Sequence, residues 1–169
     1  MRLFPQIETY IHSLRDDMAA IPAERQQLLR EIAAYIQSKL NEQAPIRMIF
    51  ICTHNSRRSH LGQIWAKTLA DFHALPDVQI YSGGTEATAF NPHAIAALHE
   101  AGFDIKGEEA TNPHYAVNYL TKGKPMTAWS KVYSDPVNPQ KDFAALMTCN
   151  EADEACPIVF GNDARFALT

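Results

Sequence analysis

Residues 46–59 read IRMIFICTHNSRRS, and this stretch decides the fold. Ile46 to Cys52 are almost continuously apolar, the pattern of a strand covered on both faces. A polar run follows: Thr53, His54, Asn55, Ser56, Arg57, Arg58, Ser59. Beyond it, Leu61, Ile64, Trp65, Leu69 and Phe72 recur at helical spacing and predict a helix of about four turns that ends before Pro76. The unit is strand, polar loop, helix. A second strand is predicted at 78–82 (VQIYS), stopped by Gly83-Gly84. The next helix is capped by Asn91, has Pro92 at its first position, turns Ile95 and Leu98 inward and stops at Gly102. Strand, helix, strand, helix in this order implies right-handed crossovers and a parallel sheet, an α/β fold.

Working outward toward the C-terminus, 115–120 and 127–133 are expected to form a β-hairpin around Lys122-Gly123-Lys124. The stretch SDPVNPQ reads as loop, with Asp135 a turn residue. Residues 143–149 (FAALMTC) are expected as a third buried strand, 150–155 as one or two helical turns, and 165–169 as a fourth strand. Toward the N-terminus, residues 1–45 read as helical. Leu3, Ile7, Ile11 and Leu14 mark one helix. Leu28, Leu29, Ile32, Ile36 and Leu40 mark a stronger one, with Pro22 at its first position and Pro45 closing the section. Trp65 and Trp129 are expected to be packing residues.

Composition narrows the function. The chain has 169 residues, 46% of them apolar and 20% charged, which is too apolar for a disordered chain and enough for a core. A net charge of -4 lacks the basic field of a nucleic-acid or anionic-membrane binder. No apolar run has the length of a membrane span, and the N-terminus lacks the apolar region of a signal peptide, so a cytoplasmic location is expected. Three cysteines do not make a disulfide scaffold. In a reducing compartment they are metal ligands, nucleophiles or buried fillers. The histidines show no pair at metal spacing, and neither metal nor cofactor is expected.

Cys52, Arg58 and Ser59 form a Cys-x5-Arg-Ser pattern across strand, loop and helix. A tight loop entering a helix points successive N–H groups into one concavity, where the helix terminus adds partial positive charge. Such a bowl suits a tetrahedral oxyanion, whose oxygens the planar Arg58 fork can clamp. The same field favours a Cys52 thiolate, and Ser59 is placed to donate a hydrogen bond to it. Asn55 tolerates a left-handed backbone without glycine. The competing view, a buried strand cysteine beside surface arginines, does not account for the strand and helix on either side.

IFICTHNSRRS, with YSGGTEA after it, resembles the low-molecular-weight tyrosine phosphatase superfamily, which includes the thioredoxin-coupled arsenate reductases. The resemblance covers residues 46–169 and leaves 1–45 as an N-terminal helical extension. It implies a flavodoxin-like sheet of order 2-1-3-4, with the hairpin as an insertion. It implies that Thr53, His54, Asn55, Ser56, Arg57, Arg58 and Ser59 bind the oxyanion. Two positions depart from the family: His54 stands where glycine is common, and Arg57 where cysteine is frequent. TCNEADEACP resembles the family's cysteine pair, so Cys149 and Cys156 are expected to resolve an adduct on Cys52. Seven helical residues rise about 10.5 Å, so joining that pair requires their segment to unwind.

The resemblance implies an arsenate reductase recycled by thioredoxin. The alternatives are a phosphatase working through a phosphocysteine, and a non-catalytic oxyanion-binding domain. Family members continue past the fourth strand into an acid loop with Asp-Pro and a closing helix. Neither follows Leu168-Thr169, so a truncated form of a longer protein is expected, with an apolar sheet face left to the N-terminal helices or a second chain. A clip on the sheet, a homodimer interface and a partner-docking arm all remain open for residues 1–45.

Overall fold

The apolar run at 46–52 forms the inner strand of a parallel sheet. The computed structural model describes residues 2–155 and 158–169, so Cys156 lies outside the described residues. The elements are α1 (Pro5–Ser13), a 3-10 turn (Asp16–Ala20), α2 (Ala23–Asn41), β1 (Ile46–Cys52), α3 (Arg58–Phe72), β2 (Val78–Gly84) and α4 (Pro92–Glu100). They continue with β3 (Asp104–Gly107), β4 (Tyr115–Asn118), β5 (Met126–Ala128), β6 (Phe143–Met147), α5 (Asn150–Ala155) and β7 (Asn162–Ala167). The main sheet has the order β2-β1-β6-β7, with all three pairings parallel. This is the 2-1-3-4 order expected from the resemblance.

Because β1 and β6 lie inside the sheet, both their faces are covered, and their residues alternate between two clusters. Met48 and Phe50 join Val78, Ile80, Ala144 and Leu146 on one face. Ile49 and Ile51 join Ala145 and Met147 on the other. Each fully buried aliphatic side chain contributes about 1.5–3 kcal/mol. Helix α3 packs close to β1 because Gly62 has no Cβ; one placed there would strike the Phe50 ring.

The face carrying Met48 and Phe50 is also covered by α2, through Leu28, Ile32, Tyr35, Ile36 and Leu40. Polar contacts tie α2 to β7: Lys39 Nζ pairs with Asp163 at 2.5 Å, and Tyr35 donates to the same carboxylate at 3.1 Å. A helix from the N-terminal section thus packs on this face of the sheet. Leu3 and Ile7 enter a further cluster with Phe90, Leu98, Phe103 and Val117. No helix among the described residues is long and apolar enough to cross a membrane.

Several boundaries differ from expectation. Leu3 is not helical; it forms a β-bridge to Leu120. Pro22 is the N-cap of α2 rather than its first residue, with extended ψ of 146°. Leu14, Leu29 and Leu69 remain 37–41% exposed, so each apolar stripe is narrower than its spacing suggests. The hairpin strands are shorter than predicted, and β4 also pairs with the unpredicted β3 to make a separate three-stranded antiparallel sheet. The fourth strand starts earlier, at Asn162, and pairs through Ala167.

Candidate active site

Cys52 ends β1 beside Gly84, the last residue of β2, and is 4% exposed. The loop after it must turn sharply into α3, and Asn55 supplies the bend with φ of 42° in the left-handed region. The loop then leans on β2. A Cβ on Gly84 would lie 2.6 Å from the Asn55 nitrogen and 2.7 Å from the Thr53 oxygen. Only glycine permits that approach.

Neighbouring segments take up the loop's carbonyls. The Cys52 oxygen accepts from the Thr85 amide, and the Thr53 oxygen from the Glu86 amide and the Thr85 hydroxyl. The His54 oxygen accepts from the hydroxyls of Thr88 and Ser130, and the Ser56 oxygen from the Asn91 amide. With these carbonyls engaged, the opposite polar groups, the N–H groups, are left over. Among the described residues, the amides of His54, Asn55, Ser56 and Arg57 find no acceptor within the chain. A run of unengaged N–H groups at a helix start is suited to an anion.

A polar relay reaches the sulfur of Cys52. The Lys131 amide donates to Asn55 Oδ1 at 2.9 Å, which fixes the carboxamide. Asn55 Nδ2 then donates to Ser59 Oγ at 2.8 Å. Ser59 Oγ lies 3.0 Å from Cys52 Sγ. With its oxygen engaged by Asn55, the Ser59 hydroxyl has its hydrogen free for sulfur, and a thiolate can only accept. Asn55 and Ser59 are fully buried, so the relay is shielded from water.

Behind the loop, buried His60 stacks on Phe90 with ring centroids 4.1 Å apart. Burial, followed by the nearby Lys131 charge, lowers its pKa to about 3, so it is neutral. Lys131 Nζ sits 4.1 Å from the centre of the Trp129 ring, and burial lowers its pKa to about 8. Trp65 stacks on Tyr10 and meets Phe103 edge-on, as a packing residue. Asp135 accepts from the Val137 amide in a turn, as its sequence context suggested.

The expected site residues separate into two groups. Cys52, Asn55 and Ser59 are buried together, with Thr53 and Ser56 partly buried beside them. His54, Arg57 and Arg58 stand exposed at the rim. His54 pairs with Glu86 at 2.8 Å, and Arg58 Nη2 lies 3.9 Å from Glu151 Oε2. Cys149 follows β6 and is 2% exposed. It shares an apolar cluster with Cys52, and its sulfur lies 3.5 Å from Thr53 Oγ1. Parallel pairing accounts for this placement: Ile51 pairs with Met147, so both chains leave the sheet at one edge. Sequence reasoning missed Lys131, Glu86 and Glu151. TCNEADEACP carried Glu151 openly, but nothing local linked Lys131 to a loop 76 positions away.

Residues 47–115 match the family described as low molecular weight phosphotyrosine protein phosphatase. This stretch of the chain is therefore similar to these phosphatases. Among curated proteins it is similar to arsenate reductases. It is 33% identical over 110 residues to arsenate reductase 2 of Staphylococcus haemolyticus (strain JCSC1435), which covers 65% of each chain. It is 49% identical over 57 residues to an arsenate reductase of Staphylococcus aureus (strain Newman), covering 33% of this chain and 40% of that one. The chain thus spans 65% of the length of the first of these relatives. A low molecular weight protein tyrosine phosphatase from Bacillus subtilis aligns in structure with a TM-score of 0.48 and 20% identity, covering 72% of this chain and 69% of the other. A thioredoxin-dependent arsenate reductase from Corynebacterium glutamicum aligns with a TM-score of 0.40 and 22% identity, covering 95% and 69%.

Proposed function

We propose that this protein is a cytoplasmic arsenate reductase recycled by thioredoxin, with residues 46–169 as its catalytic unit and 1–45 as an extension. The observation that carries the proposal is the placement of a second buried cysteine, Cys149, against Thr53 of the Cys52 loop. A phosphatase acting through Cys52 has no use for it.

In the proposed mechanism, arsenate sits on the amides of residues 53–59 with Arg58 closing over it. Ser59 holds the Cys52 thiolate, which attacks arsenic and expels one oxygen as water after protonation. Cys149, as thiolate, attacks the sulfur of Cys52. The S–S bond forms as the S–As bond breaks, and its electron pair reduces arsenic to arsenite. Cys156 attacks Cys149 and releases Cys52. The dithiol of thioredoxin then reduces the Cys149–Cys156 disulfide. The exposed rim residue Arg57 adds positive potential where the oxyanion enters.

Phosphate ester hydrolysis is the second reading, since a phosphoryl group fits the same loop and nucleophile. A side-by-side assay separates the two. Thioredoxin-dependent arsenate turnover exceeding aryl phosphate hydrolysis supports the reductase. Hydrolysis without arsenate turnover supports the phosphatase, and phosphate binding with neither activity supports a non-catalytic binding domain.

A further inference from the structure

A cavity of about 450 Å³ lies between the edge strand β2, the strand β5 and the turn at Val137. Ile80, Met126 and Val137 give it apolar walls, and Val137 is 49% exposed. No residue of 52–59 lines it. Lys131 does, although it is only 5% exposed. The Lys131 Nζ donates to the Trp129 carbonyl at 3.3 Å and rests over the Trp129 ring. Among the described residues it has no ion pair with a carboxylate. Asp135 acts on it at longer range, and that carboxylate is engaged by the Val137 amide. Two further polar walls are committed elsewhere. Gln63 accepts from the Ser82 hydroxyl and donates to the Ile80 carbonyl, and the Tyr81 hydroxyl donates to Gln79. An ammonium so buried carries the cost of desolvation without a counter-charge beside it. Burial lowers the Lys131 pKa to about 8, so at neutral pH the amine still holds its proton.

We propose that this cavity is a second ligand site, for a small organic anion whose carboxylate pairs with Lys131 Nζ while its apolar body lies against Ile80, Met126 and Val137. The carboxylate supplies the counter-charge that the chain withholds. A hydrogen bond between two charged groups, shielded from water, is among the strong ones. The apolar walls set this ligand apart from an inorganic oxyanion, which has nothing to place on them and suits the amides of the Cys52 loop instead. The two sites share a residue but no surface: the Lys131 amide orients Asn55 of the loop, and its side chain lines the cavity.

The test uses phenylacetate as the probe on the full chain, with affinity measured by calorimetry. Benzyl alcohol is its uncharged counterpart, benzylamine its cationic one and acetate its counterpart without an apolar body. Phenylacetate should bind saturably with Kd on the order of 1 mM, the range open to a ligand of about ten heavy atoms. It should bind about tenfold or more tighter than each of the other three, the factor that one charge-assisted hydrogen bond allows. Lys131→Met keeps the backbone amide and the apolar stem, and should bring phenylacetate down to the affinity of benzyl alcohol. Val137→Glu, a change at an exposed turn that leaves the core untouched, should weaken phenylacetate about threefold or more by repulsion. Arg58→Ala should leave phenylacetate affinity within about twofold. No saturable binding of phenylacetate, equal binding by Lys131→Met, or equal binding of benzylamine overturns the proposal. So does a loss in Arg58→Ala as large as in Lys131→Met, which would place the probe in the Cys52 loop.

Discussion

Asn55 and Lys131 are joined across 76 positions of sequence: the Lys131 amide donates to Asn55 Oδ1 at 2.9 Å. This bond sets the direction of the Asn55 carboxamide and, through Ser59, of the donor at Cys52. Asn55→Ala leaves the Lys131 N–H and the Ser59 hydroxyl without their partner in a buried place, and it keeps a Cβ at φ 42°. A loss of about 2–4 kcal/mol in urea unfolding is expected. Asn55→Gly removes the same carboxamide but relieves the backbone, so it should be about 1 kcal/mol less destabilising while losing as much activity. Equal stability of the two variants would contradict the role given to the left-handed conformation.

Gly84 is the floor of the loop. In Gly84→Ala the new Cβ meets backbone at Asn55 and Thr53, and no side chain there can move aside. Weakened phosphate binding is expected, by about tenfold or more, from displacement of the loop by a few tenths of an ångström. Far-ultraviolet circular dichroism should be retained. Unchanged binding would mean that the loop is not positioned by its contact with β2.

His60 makes stability depend on acid. Its folded pKa is about 3 against an ordinary 6.5, so between these values the unfolded chain carries a proton that the folded chain does not. The stability it contributes is fully present above pH 6.5 and is lost as pH falls from about 6.5 toward 3. His60→Gln should flatten the unfolding free energy against pH in this window, by up to about 1.4 kcal/mol per pH unit. An unchanged slope would mean that His60 is protonated in the folded protein.

Cys149→Ser separates the two chemistries of one loop. The variant should lose thioredoxin-dependent arsenate turnover by about 100-fold or more, since its hydroxyl cannot take part in disulfide exchange. Aryl phosphate hydrolysis, if the loop supports it, should stay within about twofold, because Cys149 does not line the relay from Lys131 to Cys52. Full arsenate turnover in the variant would remove Cys149 from the mechanism.

The strands and helices that position the loop were legible because each has a local signature. The run at 46–52 and the periodicity after Leu61 locate β1 and α3, and Asn91-Pro92 locates the start of α4. The Cys-x5-Arg-Ser pattern was legible for the same reason. What could not be read locally was contact between distant segments. The four-residue β3 has no apolar alternation of its own and is fixed by pairing with β4. Gly83-Gly84 read as a strand stop, whereas the need for Gly84 comes from the loop pressed against it. Lys131 reads as an ordinary surface lysine until the fold buries it over Trp129. Leu69 and Leu29 fit their helical stripes by spacing, yet the fold leaves them 37% and 41% exposed.

The central claim is that Cys52 and Cys149 pass two electrons to one oxyanion held in this loop. The most direct measurement is a single turnover with arsenate in the absence of thioredoxin, counting arsenite released and free thiols remaining. The account predicts about one arsenite per chain, the loss of two thiols, and a disulfide that contains Cys149. Arsenite formed with all three thiols still free, or no arsenite from a fully reduced chain, would contradict it.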